Sequence, residues 1–368
     1  MSTGTIGKRG AARRPQANSL TSGQLPRFFE LYALAGSLFV AAGLLAIMGF
    51  NVVGWLVASA ILYLVSLGAF SSIVENRRRA TDRVVRGLVI VAFLLAVIPL
   101  VSTLWEVVSR GIPALDWDFI STSSGATFDP STLKVTVRYG ALQSIVGTLI
   151  ITGIAAVISI PIGILTAVYL VEYARPGNWM ARTVTFLVDV MTGIPSIVAG
   201  LFAFSLFSIL VGPKAFSGFS ASVALSVLMI PIVVRSSEEM LKLVPQELRE
   251  ASYALGVSRF STITKVVLRT AVAGLVTGVM LAIARVIGET APIFIAASFS
   301  NNFNADPFHD PMNTLAVQIY AAFKFPGQDV AQSFQSAWGA AVLLVILVVI
   351  LNLIARLVAR FFAPRGLR

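Results

Sequence analysis

Residues 234–274 read VRSSEEMLKLVPQELREASYALGVSRFSTITKVVLRTAVAG, a polar interlude between two long apolar runs. The run before it enters the interlude as a helix, reaches Pro245, and restarts. Proline is tolerated in the first turn of a helix, where its missing N–H is not needed, so Pro245 is expected to open a short helix through QELREASYAL. Gly256 falls where a left-handed residue ends such a helix, and Ser258 stands where it caps the next one. Leu248, Ala251 and Leu255 recur at helical spacing as a narrow apolar stripe, while Glu247, Arg249 and Glu250 face elsewhere. A helix this short is not stable alone in water, so it packs either on its own bundle or in a partner's groove. Periodicity alone favours its own bundle.

The flanking runs belong to a series. The chain has 368 residues, 57% of them hydrophobic and 12% charged, with a mean hydropathy of +0.86, far from a soluble globular composition. Apolar runs long enough to cross a hydrocarbon core fall near 30–50, 52–74, 87–108, 139–171, 183–211, 219–241, 270–297 and 335–361. The expected fold is therefore an all-α polytopic membrane protein with eight spans. Its first run is longer than a signal-peptide core and reads as a retained span. Three divisions are expected: a disordered basic tail over 1–29, a transmembrane hairpin with a basic loop over 30–86, and a main membrane domain over 87–365.

The net charge of +11 does not indicate nucleic acid, because the basic residues follow the spans. With the N-terminus inside, 22 of the 28 lysines and arginines fall in cytoplasmic segments. Outside loops hold five: Arg110, Lys134, Arg138, Lys214 and Lys324. This asymmetry places both termini in the cytoplasm and assigns the positive charge to insertion and anionic lipid. The chain has no cysteine and a single histidine, His309, which excludes disulfides, thiolate chemistry and most triad and zinc mechanisms. Asp116, Asp118 and Asp129 in the loop 109–138, and Asp306, Asp310 and Asp329 in the loop 298–334, read as solvated groups, so no metal site is expected. No phosphate-cradling glycine loop with its lysine is present. Any use of ATP falls to another chain, and this one is not an enzyme.

Arg285 is the basic residue left over. It lies in ARVIGETAPIF, residues 284–294, inside the seventh run. A charge at the centre of a membrane helix costs roughly 2.5–3.5 kcal/mol even on a lenient scale, so Arg285 and Glu289 require an explanation. Entered from Thr270, Arg285 is expected near mid-membrane, and a continuous helix would put Arg285 and Glu289, at i and i+4, on one face. That face lines either a helix contact, where the two charges neutralise each other, or a polar pathway for an anion. Arg235, near the inner end of its span, reads equally as a second anion contact or as a positive-inside anchor. Asp189 repels an anion and reads as a helix-pairing residue. Pro161, Pro195, Pro231 and Pro292 each interrupt an apolar helix, as hinges or as tolerated kinks. Gly193 and Gly200 permit close helix approach.

EASYALGVSRFSTITKVVL resembles the coupling loop of ATP-binding-cassette importer permeases, a Glu-Ala-small triplet followed by glycine and an aliphatic stretch. Here the triplet is Glu250-Ala251-Ser252 and the glycine is Gly256. Arg269 and Ala273 stand where that loop has prolines. GTLIITGIAAVISIPIGILTAVYLVEYA (147–174), GIPSIVAGLF (193–202), MIPIVVRSSEEMLKLVPQELREASYALG (229–256) and ARVIGETAPIF resemble the phosphate-specific branch, and the Ala-Pro after GET is similar to one of its two permease types. The resemblance implies a six-helix importer core preceded by an extra two-helix hairpin. It implies that the segment 245–268, through Glu250, Ala251, Gly256, Leu248 and Leu255, seats on a cytoplasmic ATPase. It implies a phosphate path past Arg285, Glu289 and Arg235, a homologous sister permease, two ATPase copies that use ATP and magnesium, an extracytoplasmic phosphate-binding protein, and a bacterial inner-membrane location. A permease for molybdate or sulfate, the sister permease type, an anion channel or carrier without ATP, and a membrane sensor are the alternatives.

Overall fold

The computed structural model describes residues 25–26, 28–129, 134–175, 177–212, 215–327 and 329–362. Most of the expected disordered tail lies outside the described residues. The chain forms two compact units, Met1–Leu104 and Trp105–Arg368.

The first unit holds α1 (Phe29–Met48), α2 (Val52–Val74) and the first part of α3 (Arg77–Gly111). Asn51 starts α2 by accepting the Val53 N–H at 2.9 Å, and the Trp55 indole N–H donates to the Leu38 carbonyl at 2.9 Å, which closes the α1–α2 hairpin. At its other end Arg83 donates to Glu75 at 2.8 Å and to Glu30 at 3.0 Å, tying three helices together. Glu75 also accepts from Ser71 Oγ at 2.7 Å and from the Leu25 N–H at 3.0 Å. Its side chain is 1% exposed, and the Arg83 hydrogen bonds hold its carboxyl down at about 2.

In the second unit a short helix α4 (Trp117–Ser121) leads into a small antiparallel hairpin, β1 (Gly125–Asp129) and β2 (Lys134–Arg138), with Gly125 opposite Arg138 and Asp129 opposite Lys134. Then follow α5 (Leu142–Val168), extended by a π-turn over Tyr169–Tyr173, α6 (Trp179–Thr192), α7 (Ser196–Val211) and α8 (Gly218–Lys242). After them come α9 (Gln246–Ala254), α10 (Arg259–Thr262), a second π-turn over Ile263–Val267, α11 (Leu268–Val286), α12 (Ala291–Ala297), α13 (Leu315–Lys324) and α14 (Val330–Phe362).

The main core is the seam of α5 and α8, filled by Ile151, Ala155, Ala221, Ala224, Leu225, Met229 and Val233 and closed by Val286 and Ile293. Small and hydroxylated residues let these helices approach. The Ser222 hydroxyl donates to the Ile151 carbonyl at 3.2 Å across the seam, as expected where packing rather than water exclusion holds membrane helices together. A second core under the short helix α9 joins Ala167, Val168, Leu241, Val244, Ile263, Val267, Ala271 and Leu275.

The fold is all-α and polytopic apart from the small hairpin, and two expected spans are not continuous. Seven described helices are long and apolar enough to cross a membrane, and the eighth is the pair α6 and α7, bent by 105°. The expected span 183–211 is this pair, broken at Gly193–Pro195. The expected span 270–297 stops at Val286 and resumes at Ala291. Pro195 caps α7 and Pro292 lies in the first turn of α12, positions where the missing N–H has no helical partner to lose. Pro161 and Pro231 sit inside unbroken helices, so the expectation that all four prolines interrupt their helices is corrected to two.

Candidate functional site

The polar interlude folds as its sequence predicts. Gln246–Ala254 is helical with Pro245 at its cap, Gly256 ends it at φ +76°, and Ser258 caps α10 by accepting the Ser261 N–H. The packing is the reverse of the one periodicity favours. Leu248 is 41% exposed, Leu255 is 83% exposed and Ala251 is exposed, so the apolar stripe faces away from this chain. Glu250 is exposed as well. The buried face carries Arg249 and Ser252.

Arg249 explains this inversion. Its guanidinium donates to Glu172 Oε1 at 2.7 Å, and the two side chains are 9% and 5% exposed. It also donates to the carbonyls of Leu241 at 3.0 Å, in the last turn of α8, and Val244 at 2.6 Å, just beyond that helix, where Pro245 has no N–H to continue the helical bonding. Ser252 and Thr262 join α9 to α10 through their hydroxyls at 2.8 Å. Arg259 donates to the Glu172 carbonyl and lies 5.0 Å over the Tyr173 ring. Neither Glu172 nor the anchoring role of Arg249 was read from the sequence. The available signals were a carboxylate ending an apolar run in YLVEYA, and a cation opposite the stripe of a helix that has to pack on something.

The second constellation lies where α11 gives way to α12. Arg285 ends α11, where the helix dipole favours a cation, and it is exposed. The helix stops before Glu289, whose N–H donates to the Val286 carbonyl at 3.1 Å. Arg285 and Glu289 therefore do not share a helical face as the i, i+4 spacing suggested. They form no ion pair, and Arg285 makes no side-chain hydrogen bond or ion pair with any described residue. Gly200 of α7 packs on α12 so closely that a Cβ there would lie 2.8 Å from the Pro292 Cα. Gly200 thus seats α7 on the first turn of α12, and each of these helices begins at an interruption, Gly193–Pro195 before α7 and Ile287–Thr290 before α12. A Cβ on Gly193 would meet only the Val190 and Asp189 carbonyls of its own preceding turn, at 3.5 and 4.0 Å, so Gly193 makes no comparable approach to another helix. Non-helical backbone at membrane depth occurs where it is buried in protein or lines a water-filled path. Beyond α12, Phe294 lines an outer cavity of about 360 Å³ with Arg138, Tyr139, Gln318 and Phe325.

Arg235 is already matched. It pairs with Asp189 of α6, and with Glu238 at 2.8 Å, which in turn accepts from Lys242 at 2.7 Å. Asp189 thereby pairs helices, as its sequence position suggested. His309 meets Asp306 at 2.6 Å, and among the described residues no three potential metal ligands converge.

The comparisons agree with this arrangement of parts. Residues 159–367 match the family described as binding-protein-dependent transport system inner membrane component. The chain is 44% identical over 271 residues to the phosphate transport system permease protein PstA 1 of Mycobacterium tuberculosis, covering 73% of this chain and 84% of the relative. Identity is 41% over 276 residues to PstA of Mycobacterium leprae, covering 74% and 86%, and 36% over 269 residues to PstA of Haemophilus influenzae, covering 73% and 90%.

Proposed function

This chain belongs to the binding-protein-dependent transport system inner membrane component family, and from that membership we infer that it is a permease subunit of an ATP-driven phosphate importer. The observation that carries the coupling half of this reading is the outward apolar stripe Leu248, Ala251 and Leu255, held rigid from behind by Arg249. An anion channel or ion-coupled carrier has no use for a prepared docking helix; a subunit driven by a separate ATPase requires one.

The transport half rests on Arg285. A cation that keeps its donors unspent beside a helix interruption offers planar, paired hydrogen bonds to a tetrahedral anion. Its exposed side is completed, in this reading, by a homologous PstC-type permease, so that each chain forms half of the path. Glu289 moderates the attraction, since an anion bound too tightly would not leave. Arg235, already paired with Asp189 and Glu238, is a second contact only if those pairs open. Phosphate arrives from an extracytoplasmic PstS-type binding protein. Two PstB-type ATPase subunits, using ATP and magnesium, close beneath the complex and drive the segment around Glu250 and Gly256. Pro195 and Pro292, at real breaks, are the stronger hinges, and Pro161 and Pro231 allow bending inside continuous helices. The chain is a multi-pass inner-membrane protein; eight crossings, with the bent pair counted as one, support termini on one side, and the placement of arginines supports the cytoplasm as that side.

The test is phosphate uptake into vesicles bearing the assembled complex and its binding protein. The reading predicts uptake that requires ATP and the binding protein and resists excess molybdate or sulfate. An intact complex that takes up no phosphate, or that takes it up without ATP, contradicts it.

A further inference from the structure

Glu172 is a buried carboxylate that the transport path does not use. It ends α5 within a π-turn, a local widening of the helix that re-aims side chains and recurs at functional positions. A second π-turn, Ile263–Val267, lies on the far side of the coupling segment. Between them, one guanidinium contacts three elements: Arg249 of α9 holds the Glu172 carboxylate of α5 and the Leu241 and Val244 carbonyls at and just beyond the end of α8. Arg259 adds a fourth element by donating to the Glu172 carbonyl. The side chains of this junction are almost fully withdrawn from solvent, at 5% and 9% exposure.

Such a junction does more than make the helix stable. The face of α9 that is left for a partner is separated from α5 and α8 only by this ion pair and the small core beneath it. Those two helices form the main seam of the membrane unit, and Arg235 sits on α8. Ser252 ties α9 to Thr262 of α10, whereas the side-chain contact from α9 to the ends of α5 and α8 is made by Arg249, so a displacement applied at Leu248 and Leu255 is passed to the seam through that arginine. We propose that the Glu172–Arg249 pair is the positioning link that makes α9 move as one body with the ends of α5 and α8, so that ATPase closure is converted into rearrangement of the transport path. This rests on the importer reading above. Glu172 and Arg249 touch neither phosphate nor nucleotide, and their effect is on coupling rather than on binding.

The test uses the complete complex in vesicles and the double variant Glu172→Gln with Arg249→Met, which removes both charges while keeping the volumes. Replacing both partners of a buried pair is far better tolerated than removing one. The expected result is an assembled complex with ATPase activity near the wild-type rate but with phosphate moved per ATP reduced about five- to hundredfold, the usual span of a coupling energy. The single variant Arg249→Lys, which keeps the charge but loses the forked donors, should fall between. A merely structural role would lower assembly and leave the transport-to-hydrolysis ratio of the surviving complex unchanged, and that outcome overturns the proposal. If the double variant fails to assemble, spin labels at Arg175→Cys and Glu247→Cys decide the matter in a chain that has no native cysteine. Their separation should be the same in nucleotide-free and ATP-bound complexes, and a change between the two states overturns the link. A wild-type complex that takes up no phosphate would remove the importer reading; a fully coupled double variant would remove only this one.

Discussion

Arg249 and Arg285 belong to the same apolar chain and meet opposite treatment. Arg249 spends its donors on a carboxylate and on two carbonyls and is sealed from solvent. Arg285 ends a helix beside a backbone break, exposed, with no described partner. A buried ion pair contributes little net stability unless its geometry is good, but removing one partner is severe, because the other charge stays behind in the low-dielectric interior. The first arginine is therefore architectural and the second available. Arg235, held by Asp189 and Glu238, lies between these extremes.

Several substitutions would break or sharpen this contrast. The largest effect is expected from Arg249→Met alone. It strands the Glu172 carboxylate and two helix-end carbonyls, a loss of about 3–5 kcal/mol, enough to deplete folded permease in the membrane. Thermal unfolding in detergent measures it, and an unchanged transition would mean that the pair does not hold the coupling segment. Next is Leu255→Asp. The residue is 83% exposed, so the chain itself should fold normally, yet capture of the ATPase subunit should weaken about ten- to hundredfold, the value of one buried leucine. Retention of full ATPase binding would show that the stripe meets lipid or another surface.

Gly200→Leu is expected to have a smaller effect, about 1–3 kcal/mol of overpacking against Pro292, whose carbonyl oxygen would lie 3.0 Å from the new Cβ. Because it pushes α7 away from the first turn of α12, next to the interruption that follows Arg285, phosphate uptake should fall more than the amount of assembled complex. The smallest change belongs to the N-terminal unit. Glu75→Gln keeps one oxygen to accept from Arg83 and exchanges charged for neutral hydrogen bonds, a loss of about 1 kcal/mol. In the unmodified chain the folded carboxyl sits at about 2, below the ordinary value of 4.5, so this contribution is complete above that ordinary value and is lost as pH falls toward 2. Acid unfolding of the hairpin should lose that component in the Gln variant.

Much of this was legible in the residues. Long apolar runs, the distribution of arginines and the sequence Pro245 to Ser258 gave the spans, the short helix α9 and its caps, because chain length, charge placement and turn chemistry act locally. Pro195 and Pro292 marked interruptions, but neither the 105° bend at Gly193–Pro195 nor the loss of helix over Ile287–Thr290 was legible. Hydropathy integrates over a window and does not register a bend inside an apolar run, and the same blindness made Arg285 and Glu289 look like neighbours on one helix. The outward turn of Leu248 and Leu255 was also hidden. Amphipathic spacing marks a face but does not say what covers it, and here a buried Arg249–Glu172 pair far apart in sequence took the inner side.

On the importer reading, Arg285 stands without a partner among the described residues so that a phosphate can use it. This claim is tested most directly by phosphate uptake into vesicles carrying the assembled complex with Arg285→Ala or Arg285→Lys. The prediction is uptake reduced about hundredfold for the alanine and partly retained for the lysine, since a forked, charge-assisted contact is lost in one and weakened to a point charge in the other, with complex assembly unaffected. Uptake at the wild-type rate by an assembled Arg285→Ala complex would contradict the claim.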